Sequence, residues 1–355
     1  MDERKPYVVV LVIQLLYTGL YIISKVAFDE GMSTFIFIFY RQAAATVLLL
    51  PLAFIFERKT APPISALIVL KIFMLALLGI TFSLNVYNVG LKYTSATVAS
   101  AVTNSVPIIT FFLALILRME TVKLKSASGI AKVLGVALCL SGIMTIAFYV
   151  GPKINPLNHH HLFSHKSSNS SDASTPSSAS WVKGTFLMIT ANTTWSLWLV
   201  LQGMLLREYS SKVLLTTFQC LFSTIQTFIV AMVMERDLSR WKLRLDMGLL
   251  AVAYCGFVIT GITFYLQAWC IEKKGPVFQA MSTPLALVFT IICSFFIGET
   301  IHLGSILGGI LMVVGLYSVL WGKSKEATVK NQLSVEEKVS TIQETELSSP
   351  FRSPF

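Results

Sequence analysis

The chain has 355 residues, 54% of them hydrophobic and 13% charged, with a mean hydropathy of +0.70, against roughly 25% charged residues in a soluble domain. That composition points to a membrane and away from a water-soluble enzyme. The formal net charge of +10 comes from cations scattered among short loops, with no basic block of the kind nucleic acid requires, so no nucleic-acid partner is expected.

Apolar runs of about 20 residues, the length of a helix that crosses a bilayer, recur from the N-terminus. They fall at 8–28, 34–56, 66–90, 96–118 and 128–150, and then at 182–202, 212–234, 247–270, 276–297 and 304–321. With no water to satisfy backbone groups in hydrocarbon, such runs must be helices, and the alternation of barrel strands is missing. The first run lacks a small-residue cleavage site and reads as a retained anchor. The expectation is an all-α integral membrane protein with ten transmembrane helices. All five cysteines (Cys139, Cys220, Cys255, Cys270, Cys293) fall inside these runs without CxxC spacing and read as packing residues, so no metal and no cofactor are expected.

The helical repeat of 3.6 residues gathers polar groups onto single faces. The first span aligns Gln14, Tyr17, Thr18, Tyr21 and Lys25; the third Thr81, Asn85, Asn88 and Lys92; the fourth Ser100, Thr103, Asn104 and Pro107. In the second half Asn192, Trp195 and Ser196 share a face, as do Thr260, Thr263 and Gln267, and Gln279, Ser282, Thr283 and Thr290. These stripes occupy spans one, three and four of each half, and together they can enclose a wet cavity that binds a small molecule. Single hydroxyls in membrane helices serve equally well as interhelical hydrogen-bond links. The amides and aromatics cost more to bury, so the candidate substrate contacts are Gln14, Tyr17, Tyr21, Asn85, Asn88, Asn104, Trp195, Gln267 and Gln279. Pro107 and Pro284 occupy matched places in the fourth and ninth spans, where each removes a backbone donor; they are the candidate hinges. Gly129–Gly135 and Gly304, Gly308 and Gly315 mark close-packing faces on the fifth and tenth spans. No Asp or Glu lies mid-span, which favours facilitated diffusion over proton coupling. Lys25 and Arg41 are the intramembrane cations, placed either to attract a carboxylate or to snorkel to the interface.

The halves repeat one another. Glu120-Thr121-Val122-Lys123-Leu124-Lys125-Ser126 recurs as Glu299-Thr300-Ile301-His302-Leu303-Gly304-Ser305, and Ser105-Val106-Pro107 answers to Ser282-Thr283-Pro284. Thr46 stands to Glu57-Arg58 as Thr224 stands to Glu235-Arg236. Five spans per copy is odd, so the second copy enters the membrane from the opposite side, giving two inverted five-helix repeats. The division is 1–150 and 182–322 for the repeats, 151–181 for a polar Ser/His-rich linker, and 323–355 for a disordered tail. The linker holds Asn169-Ser170-Ser171, a glycosylation sequon usable only in a lumenal loop. An excess of Lys and Arg on the N-terminal side places both termini in the cytosol, although Arg236, Arg240, Lys242 and Arg244 oppose that orientation.

In order, Gln14, Gly19, Lys25, Tyr40-Arg41, Asn85-x-Tyr87, Thr94-Ser95-Ala96-Thr97, Asn104, Pro107, Glu120, Gly275-Pro276-Val277-Phe278, Pro284-Leu285, Gly298-Glu299 and Trp321-Gly322-Lys323 resemble the plant nodulin-21-like, walls-are-thin-related branch of the drug/metabolite transporter superfamily, with two EamA-type repeats. The resemblance implies a carrier working by alternating access at the plasma membrane or the vacuolar membrane, often a bidirectional amino acid facilitator, with auxin or a related organic acid as the alternative cargo. It supplies no substrate residues and no particular oligomeric state. A nucleotide-sugar or sugar-phosphate exchanger would need several cations deep in the cavity. An intramembrane protease would need a membrane Ser–His or Asp pair, which the spans lack, and a non-transporting scaffold would not need intact stripes.

Overall fold

The computed structural model describes residues 4–57, 63–91, 93, 102–122, 125–149, 151–154, 178–209, 211–243, 246–297 and 301–348. Their helices are α1 (Lys5–Asp29), α2 (Thr34–Glu57), α3 (Ala66–Leu91), α4 (Val106–Ile116), α5 (Ala127–Phe148), α6 (Ser178–Glu208), α7 (Lys212–Met234), α8 (Met247–Lys274), α9 (Pro276–Met281 and Thr283–Ile297, on either side of Ser282) and α10 (Leu303–Ser348). Eight of them, all but α4 and α6, are long and apolar enough to cross a membrane. Local sequence sets several starts. Ser65, Ser126 and Ser211 accept hydrogen bonds from backbone N–H groups three residues on, and Asp246 caps α8 through Gly248 and Leu249. The outer surface is apolar, with Val47, Phe54, Ile116 and Phe148 all exposed, as a lipid-facing surface must be.

Three expectations change. The fourth run, read as 96–118, is broken: residues 102–103 are helical, a turn follows at 104–105, and α4 starts at Val106 with Pro107 in its first turn; residues 94–101 lie outside the described residues. The tail expected to be disordered from 323 continues α10 to Ser348, because residues 323–348 contain no Gly or Pro and are rich in Lys, Glu and Gln. A two-residue antiparallel ladder, β1 (Lys153–Ile154) with β2 (Ile301–His302), joins the start of the linker to the segment before α10. Asn169 lies outside the described residues.

Pairs of helices from the two halves pack antiparallel. On α5 and α10, Ser128 faces Gly322, Gly135 faces Gly315 and Gly142 faces Gly308, a spacing of seven residues on both helices. A Cβ built on Gly135 would lie 2.6 Å from the Gly315 carbonyl oxygen, and one on Gly142 would lie 2.7 Å from the Gly308 carbonyl oxygen, so only glycine admits this approach. On α2 and α7, Ser223 donates to Gln42 Oε1 at 3.1 Å and the Thr46 and Thr224 hydroxyls meet at 2.9 Å.

Within α3 and α8 lie matched π-helical stretches, Ala76–Phe82 and Tyr254–Thr263. Hydropathy gave no sign of them. Each is a wide turn with one extra residue, and Gly79 within the first lets Trp198 of α6 lie against the backbone, where a Cβ would fall 2.2 Å from its ring.

Candidate functional site

Between the halves lies a cavity of about 180 Å³. Gln14, Tyr17 and Tyr21 reach it from α1, Arg41 from α2, and Ser83 and Tyr87 from the end of α3. Thr103 borders it just ahead of α4, Asn192 and Trp195 from α6, Gln267 from α8, and Gln279 and Thr283 around the break in α9. That break has a counterpart. Ser105 and Ser282 each donate a hydroxyl hydrogen bond to a carbonyl three residues earlier, Val102 at 2.6 Å and Gln279 at 2.6 Å. Each bond holds a turn from which the helix restarts at Pro107 or Pro284. The two prolines therefore begin helices beside the cavity without lining it, since the first turn tolerates a missing N–H.

Several wall groups are fixed by their neighbours. Gln14 Nε2 donates to Ser282 Oγ at 2.7 Å, and Thr18 Oγ1 donates to the Ala286 carbonyl at 3.3 Å, tying α1 across the break in α9. Gln267 Nε2 donates to the Tyr17 hydroxyl at 3.1 Å, and the Tyr87 and Thr103 hydroxyls meet at 3.0 Å. Trp195 stacks on Trp198, centroids 4.8 Å apart, and Trp198 packs in turn on Phe264.

Three polar atoms remain without partners: Gln267 Oε1, Gln279 Oε1 and Asn192 Nδ2, all buried. Arg41 is 6% exposed. Its Nε donates to Thr260 Oγ1 at 2.6 Å, and among the described residues no carboxylate pairs with it. Among the described residues no carboxylate lines the cavity either. A buried cation and two unpartnered carbonyl oxygens bordering one cavity give it an anion-seeking group and groups that accept N–H donors.

Gln14, Tyr17, Tyr21, Trp195, Gln267 and Gln279 of the expected contacts line the cavity; Asn85, Asn88 and Asn104 do not. Asn85 Nδ2 donates back to the Thr81 carbonyl at 2.7 Å, and Asn88 Nδ2 to the Leu84 carbonyl at 2.9 Å. Each amide is thereby held by its own helix, one turn back. Asn104 is buried and has a partner elsewhere. Arg41 and Tyr87 are cavity residues that the stripes did not single out. Arg41 lies on α2, which showed no polar stripe, and Tyr87 stood out only beside Asn85.

At the N-terminal face, buried charges link the halves. Lys132 on α5 is wholly buried and donates to Glu120 Oε1 at 2.9 Å, Glu326 Oε2 at 2.5 Å and the Thr121 carbonyl at 3.1 Å. Lys323 on α10 donates to Glu120 Oε2 at 2.8 Å and to the Lys274 carbonyl at 3.3 Å. Burial pushes the Glu120 carboxyl upward, but Lys323 and Lys132 outweigh it and hold the group below its usual range.

A family model described as the EamA-like transporter family matches residues 4–148 and 182–321. The chain is 52% identical over 330 residues to a WAT1-related protein of Arabidopsis thaliana, covering 92% of each. A second WAT1-related protein of that plant is 44% identical over 345 residues, covering 97% of this chain and 98% of the relative. Protein WALLS ARE THIN 1, also from Arabidopsis thaliana, is 39% identical over 329 residues, covering 92% and 85%. A solved structure described only as the crystal structure of a protein shares the fold, with TM-score 0.63 at 14% identity, covering 91% of this chain and 99% of that one.

Proposed function

The chain belongs to the EamA-like transporter family as a WAT1-related, multi-pass membrane protein that moves small molecules, and we propose that its cargo is an amino acid, carried in both directions by alternating access. The observation that carries this reading is the pairing of Arg41 with Gln267 Oε1 and Gln279 Oε1 around one cavity. A lone buried cation is costly in a membrane interior. A cargo carboxylate supplies the missing countercharge, and its ammonium group supplies donors for the two carbonyl oxygens. Auxin, the second reading, offers the carboxylate without the ammonium. A nucleotide sugar fits least: the cavity, about 180 Å³, is below the roughly 300–1,000 Å³ of sites for drug-sized ligands, and among the described residues a single arginine lines it.

The proposed architecture is ten transmembrane helices in two inverted five-helix repeats. The antiparallel pairing of α5 with α10 and of α2 with α7, the matched π-helical stretches and the matched serine-held breaks all support it. Alternating access would then swing the halves about the cavity, with Pro107 and Pro284 at the restarting helices as hinges. Arg4 and Lys323 border a common cavity, which favours both termini on one side of the membrane; we assign that side to the cytosol, at the plasma or vacuolar membrane.

Uptake of labelled neutral amino acids into proteoliposomes tests the proposal, with auxin and a nucleotide sugar as competitors. A charge-assisted hydrogen bond is worth about 1.5–3 kcal/mol, so Arg41→Gln lowers flux roughly 10- to 150-fold at unchanged protein abundance. Uptake persists when the proton gradient is collapsed. Full flux in Arg41→Gln, or stronger competition from auxin than from amino acids, would overturn the assignment.

A further inference from the structure

A larger cavity, about 660 Å³, opens at the N-terminal face and, among the described residues, shares no lining residue with the central one. The carboxylates in its wall already have partners: Glu120 with Lys132 and Lys323, Glu326 with Lys132, and Glu272 with Lys212 at 3.0 Å. Its cations largely do not. Arg4, Arg118, Arg207 and Lys273 border it without an ion pair among the described residues, and Lys274 sits 5.5 Å over the Tyr7 ring. These cations come from the residue ahead of α1, the turn after α4, α6 and α8, so the folded bundle gathers what the sequence scatters.

Arg118 adds an independent sign. It is the one non-glycine residue with positive φ (55°) among the described residues. It closes α4 with a paired turn, in which Met119 N–H bonds the Ala114 carbonyl at 2.8 Å and Arg118 N–H bonds the Leu115 carbonyl at 3.1 Å. Glycine is the usual residue at that position because it adopts the left-handed conformation without steric cost. An arginine held there carries backbone strain that its side chain has to offset, and that side chain borders the cavity.

We propose that this cavity binds a phosphate-bearing anion, drawn either from a lipid headgroup at the membrane surface or from solution. Basic pockets between transmembrane helices hold such headgroups, and arginine forks match phosphate oxygens in a bidentate way. The site goes beyond the cargo reading and is independent of it.

The test uses the full chain in nanodiscs, in two arms. One titrates inositol hexakisphosphate onto protein in phosphatidylcholine discs, read by thermophoresis. The other compares discs with and without phosphatidylinositol 4-phosphate, reading retained lipid by native mass spectrometry. Saturable binding is expected in at least one arm, and which arm responds identifies the source. Arg118→Gly and Arg207→Gln each weaken binding about fivefold, from roughly 1 kcal/mol per basic side chain near an anionic surface at about 1.4 kcal/mol per tenfold; together they weaken it about 25-fold. Arg118→Gly also raises the Tm of the ligand-free protein, so weaker binding in that variant cannot come from misfolding. No saturable binding in either arm, or unchanged affinity in the double variant, overturns the proposal.

Discussion

Replacing Lys132 by Met removes the cation at the centre of the N-terminal clasp. Its side chain is fully buried and serves Glu120, Glu326 and the Thr121 carbonyl together, so the substitution leaves two carboxylates, 10% and 20% exposed, without their shared partner. Removing one member of a buried ion pair costs about 3–5 kcal/mol. Lys323 still holds Glu120 at 2.8 Å, which sets the cost near the low end, about 3 kcal/mol. At roughly 2 °C per kcal/mol for a large domain, Tm falls by about 6 °C. Fluorescence-detected size-exclusion chromatography after graded heating measures this on unpurified protein. Adding Glu120→Gln and Glu326→Gln removes the stranded charges and recovers much of the loss, since a neutral replacement of a whole buried cluster is often harmless. A fall under about 2 °C, or a triple variant no more stable than the single one, would refute the view that Lys132 is held by charge; the 2 °C line corresponds to about 1 kcal/mol.

Three further outcomes follow from the same structure. Glu120 is held below its ordinary value of 4.5, so the unfolded chain takes up the proton first; its stabilisation is complete above that value and is lost as pH falls through the lower folded value. Melting from pH 7 to pH 3 shows this loss, and Glu120→Gln shows a shallower one over the same window. Gly315→Ala puts a Cβ 2.6 Å from the Gly135 carbonyl oxygen and 2.7 Å from Cys139 Sγ and costs about 1–3 kcal/mol by overpacking. Gly309→Ala has nothing nearer than 3.8 Å and gains up to about 1 kcal/mol of helix propensity, so the two glycine variants shift Tm in opposite directions. Gln279→Leu removes an unpartnered carbonyl from the cavity and cuts amino acid flux about tenfold, on the order of 1.5 kcal/mol, whereas Asn88→Leu, whose amide bonds its own helix, leaves flux within twofold; equal losses in the two would reassign the cavity wall.

Eight of the ten expected spans were legible as helices of membrane length because bilayer thickness fixes helix length, and the duplicated Glu120 and Glu299 segments were legible as text. The polar stripes on α1, α6, α8 and α9 each gave residues to the cavity wall, on α8 through Gln267, just beyond its π-helical stretch. On α3 the amides of Asn85 and Asn88 bond carbonyls of their own helix and stay out of the cavity wall, and no residue type announces the π-helical stretch that precedes them. Arg41 reads from the sequence either as an attractor of a carboxylate or as a snorkelling side chain; its hydrogen-bond partner, Thr260, is 219 residues away, a distance across which periodicity carries no information. The glycines of α5 and α10 read as packing faces, but their register, Gly135 on Gly315 and Gly142 on Gly308, belongs to the pair and to neither helix alone.

Thr46 and Thr224 stand at equal distances from the starts of their matched segments, residues 4 and 182, and their hydroxyls touch each other at 2.9 Å. A position that meets its own counterpart must carry a group complementary to itself, as on the axis of any symmetric dimer. A carboxylate or an ammonium there would face its like, whereas a hydroxyl both gives and receives a hydrogen bond. Change at this point is therefore constrained in pairs: a charge introduced at 46 demands its opposite at 224, and that exchange would leave the two halves unlike at a place where they touch as equals.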